Sequence, residues 1–389
     1  MRTGARFVVV LLVATWSAAA WGEQVSVGPR GQVTVDGKAV IPFGVWQQPQ
    51  QLMEYHHMIG LNCLIWPPSS AHGETESTSE YVAAAKAKGL GAILHYKPEL
   101  ADLPGVWGWI GGGWPVSDAR QRYEFIRNRD RTHLIQANFG AHGLINRNDP
   151  GDLEYYKGAL PYIDSVVSHA WPEMFEGEPR NLRNVALLVD SLRELCAGRP
   201  RGEVSIWPDI NPHRWNEKEV KGHTLFESPT QEELRFQIWL SLIHGADGIC
   251  LFPISFDPFV SSQIPSRNED VIRETSKLFE RFAPALGAEE SPRKIAVQAE
   301  TKDDIVDVTT RRLGDRDYVF LVNGTSRPQT IRVTVDGLGA AAALHDALDD
   351  NKPRKTEGES FEEMLDGLAL RIWEIRPMTT AANPSEANR

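Results

Sequence analysis

Eight short apolar runs recur along the first two thirds of the chain, most of them separated by a loop and a helical pattern. They lie at residues 41–46, 61–66, 90–96, 105–110, 132–139, 163–171, 203–207 and 247–252. Such near-continuous apolar runs are typical of parallel strands that are buried on both faces. Eight strands alternating with helices over about 215 residues favour a (β/α)8 TIM barrel over an open doubly wound sheet.

Two of the connecting segments predict good helices. In residues 181–198 the apolar positions fall on one face at helical spacing. In residues 228–245, Ser228 is the predicted cap, Pro229 occupies the first turn, and Gly245 ends the helix. The interval between the third and fourth strands, "KPELADLPG", is shorter than a full crossover usually requires. We therefore expect the third helix to be vestigial or replaced by a loop.

The chain divides by pattern into a barrel at 23–290 and a second unit at 291–377. Residues 24–40 alternate around two turn signals and predict a β-ribbon that leads into the barrel. From 291 onward, alternating strands follow one another without strong helices, which predicts a small antiparallel β-sandwich. The polar segment 378–389 predicts a disordered tail.

Residues 1–22 have the pattern of a secretory signal peptide. Arg2 and Arg6 precede a short apolar run and then small residues. An uncleaved membrane anchor is the alternative, although the run is short for a membrane span. We expect the mature chain to begin near Glu23 and to be secreted or periplasmic. No later apolar run approaches the ~20 residues of a spanning helix, so no membrane association is expected after cleavage.

The charge balance bears on the class of partner. The formal net charge is −11, and no cluster of basic residues is present to neutralise a phosphate backbone, which argues against nucleic acid.

The three cysteines, Cys63, Cys196 and Cys250, are far apart in apolar segments and predict core packing. No metal-ligand spacing is present, and no cofactor is implied.

Chemistry in such barrels lies at the carboxyl ends of the strands. Aromatic and polar residues follow these ends: Trp46, Gln47, Trp66, His95, Trp114, Asn138, His169, Trp171 and Trp207. An indole ring can stack on the apolar face of a sugar, while amides and histidines bind its hydroxyls. These residues predict binding of an oligo- or polysaccharide, and the alternative is that the large rings only fill the barrel mouth.

Four segments carry a family resemblance: "VTVDGKAVIPFGVW", "MIGLNCLIW", "AAAKAKGLGAILH" and, most specifically, "PTQEELRFQIWLSLIHGADGICLF". Through them the chain resembles secreted (β/α)8-barrel glycoside hydrolases of the clan A type, particularly poorly characterised bacterial members, over roughly residues 24–374. Those proteins also carry a small carboxyl-terminal β-sandwich.

The resemblance implies an acid/base carboxylate after the fourth strand and a nucleophilic carboxylate after the seventh, since glycoside hydrolysis needs both. The related fourth strand reads Gly-Trp-Tyr-x-x-Asp-Glu-Pro. Here Gly108, Trp109 and Pro115 keep the register, but Gly113 stands in place of the Asp and Trp114 in place of the Glu. The expected acid is therefore absent.

Three other carboxylates are candidates for catalysis. Asp209, after the seventh strand, lies near the nucleophile position, although it is equally compatible with a turn. Glu173, after the sixth strand, and Glu99, after the third, lie on the expected rim and are candidates to replace the missing acid. Each is also compatible with an ordinary surface loop.

Two functions remain open at this stage. One is a glycoside hydrolase with a relocated acid that cleaves O-glycosidic bonds. The other is a non-catalytic carbohydrate-binding protein on a glycosidase scaffold, because losing the acid while keeping the tryptophans leaves affinity without cleavage. A protein-binding or wall-associated structural role has little support in the sequence.

Overall fold

The structure is a computed structural model of the whole chain. It describes residues 23–68, 78–112, 118–140, 144, 150–169, 181–197, 199, 203–213, 228–256, 259–261, 264–301, 305–338, 342–349, 352–354, 356 and 358–378. The predicted signal peptide at 1–22 lies outside the described residues, as does the predicted tail from 379 onward. Among the described helices, none combines the length and the apolar character that a membrane span requires.

The described chain opens with the predicted ribbon. It consists of three antiparallel strands, β1 (Val25–Val27), β2 (Val33–Val35) and β3 (Lys38–Val40). Asp36 and Gly37 form the second turn with left-handed φ angles of 50° and 77°, as tight hairpins of this type require. Val25 and Val33 are buried in one cluster with Leu134, at the start of a barrel strand. The ribbon therefore closes the amino-terminal end of the barrel.

Eight parallel strands form the closed barrel that the apolar runs predict. In chain order they are β4 (Phe43–Trp46), β5 (Cys63–Ile65), β6 (Gly91–Leu94), β7 (Val106–Gly112), β8 (Leu134–Phe139), β9 (Ser165–His169), β10 (Ser205–Ile210) and β11 (Ile249–Leu251). Neighbours in the chain are neighbours in the barrel, and β11 pairs with β4 to close it.

The connections between barrel strands are helical with one exception. The helices are α1 (Met53–Met58), α2 (Ser79–Ala87), α3 (Ala119–Arg127), α4 (Pro150–Ala159), α5 (Asn184–Cys196) and α6 (Gln231–Ile243). Between β6 and β7 the chain has only a single 3-10 turn, Pro98–Leu100. The short interval thus replaces the third helix, as its length predicts.

The start of α6 differs from the sequence expectation. Ser228 is not its cap. Thr230 is, because its hydroxyl accepts the Glu233 N–H at 3.2 Å while the Glu233 carboxylate accepts the Thr230 N–H at 2.8 Å. This reciprocal capping box satisfies two otherwise unpaired backbone donors, which a cap at Ser228 would leave without partners.

After β11 a short hairpin, β12 (Ile254–Phe256) and β13 (Phe259–Ser261), precedes the long helix α7 (Ser266–Leu286). Two antiparallel sheets follow. One contains β14 (Ile295–Ala299), β17 (Gln329–Val335) and β20 (Ser360–Leu365); the other contains β15 (Val306–Leu313), β16 (Arg316–Asn323), β18 (Ala342–Asp346), β19 (Lys352–Pro353) and β21 (Leu370–Pro377). Buried residues of both sheets, such as Val333 and Trp373, share one core cluster, which confirms the predicted sandwich.

Packing around the barrel matches the sequence expectations for the cysteines. All three are buried and unpaired. Cys63 and Cys250 face the barrel interior, whereas Cys196 belongs to the layer between strands and helices. Burial raises the pKa of the Cys63 thiol above its usual value, so these thiols are packing groups and not reactive ones.

An ionic network joins the barrel to the carboxyl-terminal sheets. His244, at the end of α6, has Nδ1 2.8 Å from Asp190 Oδ1 on α5 and Nε2 3.0 Å from Asp307 Oδ1 on β15. Carboxylate oxygens only accept hydrogen bonds, so both ring nitrogens must carry a proton and the ring is a cation. Arg183 also pairs with Asp307. Burial lowers the pKa of His244, but the two carboxylates outweigh it and the pKa lies above its usual 6.5.

This network predicts a pH-dependent contribution to stability. Because the pKa of His244 is raised in the folded state, its contribution is complete below about pH 6 and is lost as the pH rises through the folded pKa. We expect His244→Gln to lower the unfolding free energy by about 1–3 kcal/mol near pH 5.5 and by clearly less near pH 9, measured by urea unfolding.

The matched control is His57→Gln, which changes an exposed histidine on α1. It is expected to have little effect at either pH. An equal loss of stability in His244→Gln at both pH values would contradict the assignment of His244 as a cation.

Candidate functional site

The carboxyl ends of the barrel strands gather six of the predicted site residues at one rim, called here the mouth. These are Trp46, Gln47, Trp66, His95, Asn138 and His169, and Asp209 lies with them on β10. Parallel pairing with short connections brings together residues that are up to about 160 positions apart in the chain. Trp114, Trp171 and Glu173 lie outside the described residues, so their predicted roles stay predictions.

A histidine–carboxylate pair lies at the centre of the described mouth. His169 Nδ1 is 2.8 Å from Asp209 Oδ2. The two residues are direct partners in the β9–β10 register, so the pleat points both side chains toward the barrel interior. The Asp209 side chain is completely buried, whereas that of His169 is 19% exposed. The pair therefore presents its imidazole, and not its carboxylate, to the mouth.

The environment of Asp209 disfavours its charge. Burial is the largest influence and raises the pKa of Asp209, while the neighbouring His169 ring and Cys250 thiol act in the opposite direction. A carboxylate removed from water needs a donor or a cation beside it to remain ionised. His169 supplies that donor.

Aromatic rings surround this pair. Trp46 and Trp66 stack with ring centroids 4.7 Å apart. Trp46 and Phe252 each contact the His169 ring in an edge arrangement, at 6.2 Å and 6.0 Å. Trp46 is buried, but Trp66 is only half-buried, so part of its indole surface is accessible at the mouth, next to Trp46.

Two residues at the mouth have unusual backbone angles. Gln47 and Trp66 follow directly after β4 and β5 with φ angles of 45° and 54°. Their N–H groups still donate to Ile65 and Ile93 carbonyls at 2.8 Å and 3.0 Å, which extends the barrel ladder. A left-handed conformation costs a non-glycine residue of order 1–3 kcal/mol, and such strain concentrates at functional sites. Here it turns the chain at the point where Trp66 meets Trp46.

Glu99 lies apart from this cluster. It is an exposed residue of the 3-10 turn after β6. Burial is the main cause that raises the pKa of the Tyr96 hydroxyl, and the charge of Glu99 adds to it. Tyr96 in turn packs on Trp109 and Phe125, at 5.1 Å and 5.6 Å, on the helix-facing side of the barrel wall. The structure thus places Glu99 beside the outer layer, and its predicted catalytic role stays a prediction.

Trp207 and Asn138, the other two predicted site residues, differ in how far their side chains are buried. Trp207 is completely buried inside the barrel, and its indole N–H donates to Ser205 Oγ at 2.7 Å. It precedes Asp209 by two positions on the same face of β10, so it forms the floor beneath the pair. Asn138 is half-buried, and its Oδ1 atom accepts no hydrogen bond from the described residues.

The glycines of the fourth barrel strand have a packing role. The register of β7 against β8 shifts between Ile110 and Gly112. A Cβ atom on Gly111 would lie 2.3 Å from Ile135 Cγ2, so at this position glycine admits a neighbouring side chain. Gly111 therefore serves packing between neighbouring strands and does not open space for a ligand.

Sequence reasoning missed a polar network behind this strand. Trp109 Nε1 donates to Asp130 Oδ2, which also lies 2.7 Å from His133 Nδ1. All three side chains are buried, and these hydrogen bonds hold the pKa of Asp130 well below its usual range against the effect of burial. The network anchors Trp109 in the barrel wall. The sequence contained one signal for this network, Asp130 three positions before His133. This spacing is common in proteins, so by itself it does not indicate a hydrogen bond.

No metal centre is found in the described part of the chain. Among those residues, no three His, Cys, Asp or Glu side chains group closely enough to hold an ion. The chemistry that the described mouth offers is hydrogen bonding, stacking and proton exchange at the His169–Asp209 pair.

The buried carboxylate predicts a pH-dependent effect of Asp209→Asn. An Asp whose pKa is raised by folding binds its proton more tightly in the folded state, so its ionisation destabilises the fold as the pH rises from the unfolded value of 3.8 through the folded value. Because Asn does not ionise, Asp209→Asn should gain stability relative to wild type between about pH 4 and pH 8. Urea unfolding across this range measures the difference.

Asp102→Asn, at an exposed site, is the control and should show no such trend. A constant difference between Asp209→Asn and wild type across the range would contradict the raised pKa.

Comparisons with known proteins show which solved structures share this architecture. No protein-family profile and no curated protein sequence matches the chain. A solved glycoside hydrolase aligns with a TM-score of 0.59 at 13% identity, covering 91% of this chain and 97% of that one. A glycoside hydrolase family 5 protein from Bacteroides vulgatus ATCC 8482 gives 0.57 at 13% identity, covering 91% and 93%. A putative alpha-galactosidase from Bacteroides fragilis NCTC 9343 gives 0.50 at 12%, covering 88% and 82%. The chain therefore has the barrel-and-sheet fold of glycoside hydrolases.

Proposed function

We propose that this protein acts on carbohydrate at the mouth of its barrel, as a glycoside hydrolase-like protein. The observation that carries the proposal is the partly buried indole of Trp66, which stacks on Trp46, whose ring in turn contacts His169 of the His169–Asp209 pair. A partly accessible aromatic ring near hydrogen-bonding groups matches a sugar, which has an apolar face and a hydroxylated edge.

Three further points support a carbohydrate ligand. The mouth is at the end of the barrel where such folds hold their active sites. The structural neighbours are named as glycoside hydrolases and an alpha-galactosidase. The chain is acidic overall, which disfavours polyanionic ligands and suits a neutral polysaccharide.

Hydrolysis of O-glycosidic bonds is the first candidate activity. The His169–Asp209 pair supplies a group that can exchange protons at the mouth, which bond cleavage requires. We further propose that the protein works outside the cytoplasm, secreted or periplasmic, because its first 22 residues resemble a signal peptide.

Binding without cleavage is the second candidate, and one observation favours it. Within the described stretches, the strand ends carry a single carboxylate, Asp209, and it is fully buried. Glycosidases of the two-carboxylate type need a second carboxyl group within about 10 Å. A mouth with stacking rings and no such pair would retain sugars without cutting them.

Removal of the Trp66 ring tests glycan binding, which both candidate functions require. We expect Trp66→Ala to weaken glycan binding at least about 10-fold, because a large aromatic contact is lost at the centre of the site. Calorimetry against a panel of soluble polysaccharides and oligosaccharides measures the change, and hydrolysis of the same panel separates the two candidates.

The control is Phe125→Ala, which removes an exposed ring from α3 on the outer surface of the barrel. It should leave affinity unchanged. If wild-type protein binds no member of a broad panel, or if Trp66→Ala binds as tightly as wild type, the proposed ligand or its place at the mouth is wrong.

A further inference from the structure

The proposed hydrolysis lacks an acid in the expected place, since the fourth barrel strand has neither the Asp nor the Glu of the related pattern. A proton donor must nevertheless contact the glycosidic oxygen as the bond breaks. The described mouth contains one titratable group that is both partly exposed and held by a buried partner, His169.

We infer that His169 is the proton donor of this site and that Asp209 is its positioning residue. This inference rests on the proposed function and names the group that performs its proton transfer. It follows from the 2.8 Å contact between Nδ1 and Asp209 Oδ2 and from the contrast between a buried carboxylate and an exposed imidazole.

Burial decides how the two roles are divided. The Asp209 side chain has no exposed surface, so an anomeric carbon cannot reach its oxygens without displacing the residues that cover it, among them His169. His169 lies between Asp209 and the mouth and has surface available to a ligand. Asp209 therefore acts through His169, and direct nucleophilic attack by Asp209 does not suit this geometry.

The hydrogen bond also determines which nitrogen carries the chemistry. Nδ1 donates its proton to the Asp209 carboxylate, and this bond holds the tautomer and stabilises the imidazolium. The exchangeable proton is therefore the one on Nε2. Trp46 and Phe252 contact the ring at interplanar angles of 77° and 80°, which restricts its rotation and keeps Nε2 in one direction.

The step balances with water as the only other reactant. The imidazolium Nε2–H transfers its proton to the glycosidic oxygen, and the electron pair of the bond to the anomeric carbon leaves with that oxygen as an alcohol. A water oxygen then bonds to the anomeric carbon. The proton that this water loses restores the imidazolium, and no oxidation occurs.

The test uses substrates that differ in their need for an acid. Alkyl glycosides have poor leaving groups and require protonation, whereas 2,4-dinitrophenyl glycosides leave without it. We expect His169→Ala to lower kcat/KM by about 10²–10⁴-fold on alkyl glycosides and by less than about 10-fold on dinitrophenyl glycosides. Asp209→Asn should show the same pattern, because it removes the carboxylate that holds the Nδ1 proton.

Added imidazole gives a second readout. It should restore part of the activity of His169→Ala on alkyl glycosides and none of that lost in Asp209→Asn, which retains its own ring. His57→Ala, at an exposed site on α1, is the matched control and should behave as wild type. Circular dichroism and urea unfolding establish that each variant is folded.

Equal losses on both substrate classes, or no loss in His169→Ala, would overturn the role of His169 while leaving the proposed function intact. Glycan binding by wild type without any hydrolysis would overturn it as well and would favour the binding candidate. Absence of glycan binding in wild type by calorimetry identifies failure of the proposed function itself.

Discussion

The pairing of the last barrel strand with the first is the interaction on which the rest of the structure depends. Ile249, Cys250 and Leu251 pair in register with Phe43, Gly44 and Val45. Closing the ring leaves no unpaired strand edge in the barrel sheet and brings all eight carboxyl ends to one rim. His169 ends β9 and Trp46 ends β4, and β10 and β11 lie between these two strands. Without the closure, the two side chains would not be in contact.

Each end of the closed barrel buries a carboxylate, and the partners differ. At the amino end Asp247 accepts hydrogen bonds from the Ile206 N–H at 2.9 Å and from Arg193 at 2.5 Å. The Arg193 guanidinium keeps its charge, whereas burial raises the pKa of Asp247 to about 6, so the ion pair is complete only above that pH. At the mouth Asp209 faces the imidazole of His169, with Nδ1 2.8 Å from the carboxylate. The same fold thus buries one carboxylate against a guanidinium and the other against an imidazole.

Several elements were predictable because their signals are local. The eight apolar runs became the eight barrel strands, and the nine-residue interval "KPELADLPG" left no room for a third helix. The cap of α6 was predicted wrongly, at Ser228, because Thr230 with Glu233 and Ser228 with Gln231 both have the spacing of a capping box. Ser228 is an equally common cap residue, and only the reciprocal hydrogen bonds distinguish the two.

The sequence by itself determined the fold class, the order of the strands and which residues follow each strand, because hydrophobic periodicity and chain length are local properties. Only the tertiary structure decided how deeply each side chain is buried and which side of the barrel wall it faces. It placed Trp207 beneath the mouth, Glu99 beside the outer layer, and His169 against Asp209. Those outcomes depend on register between strands and on which face each side chain takes, and neither is encoded by the spacing of residues within one segment.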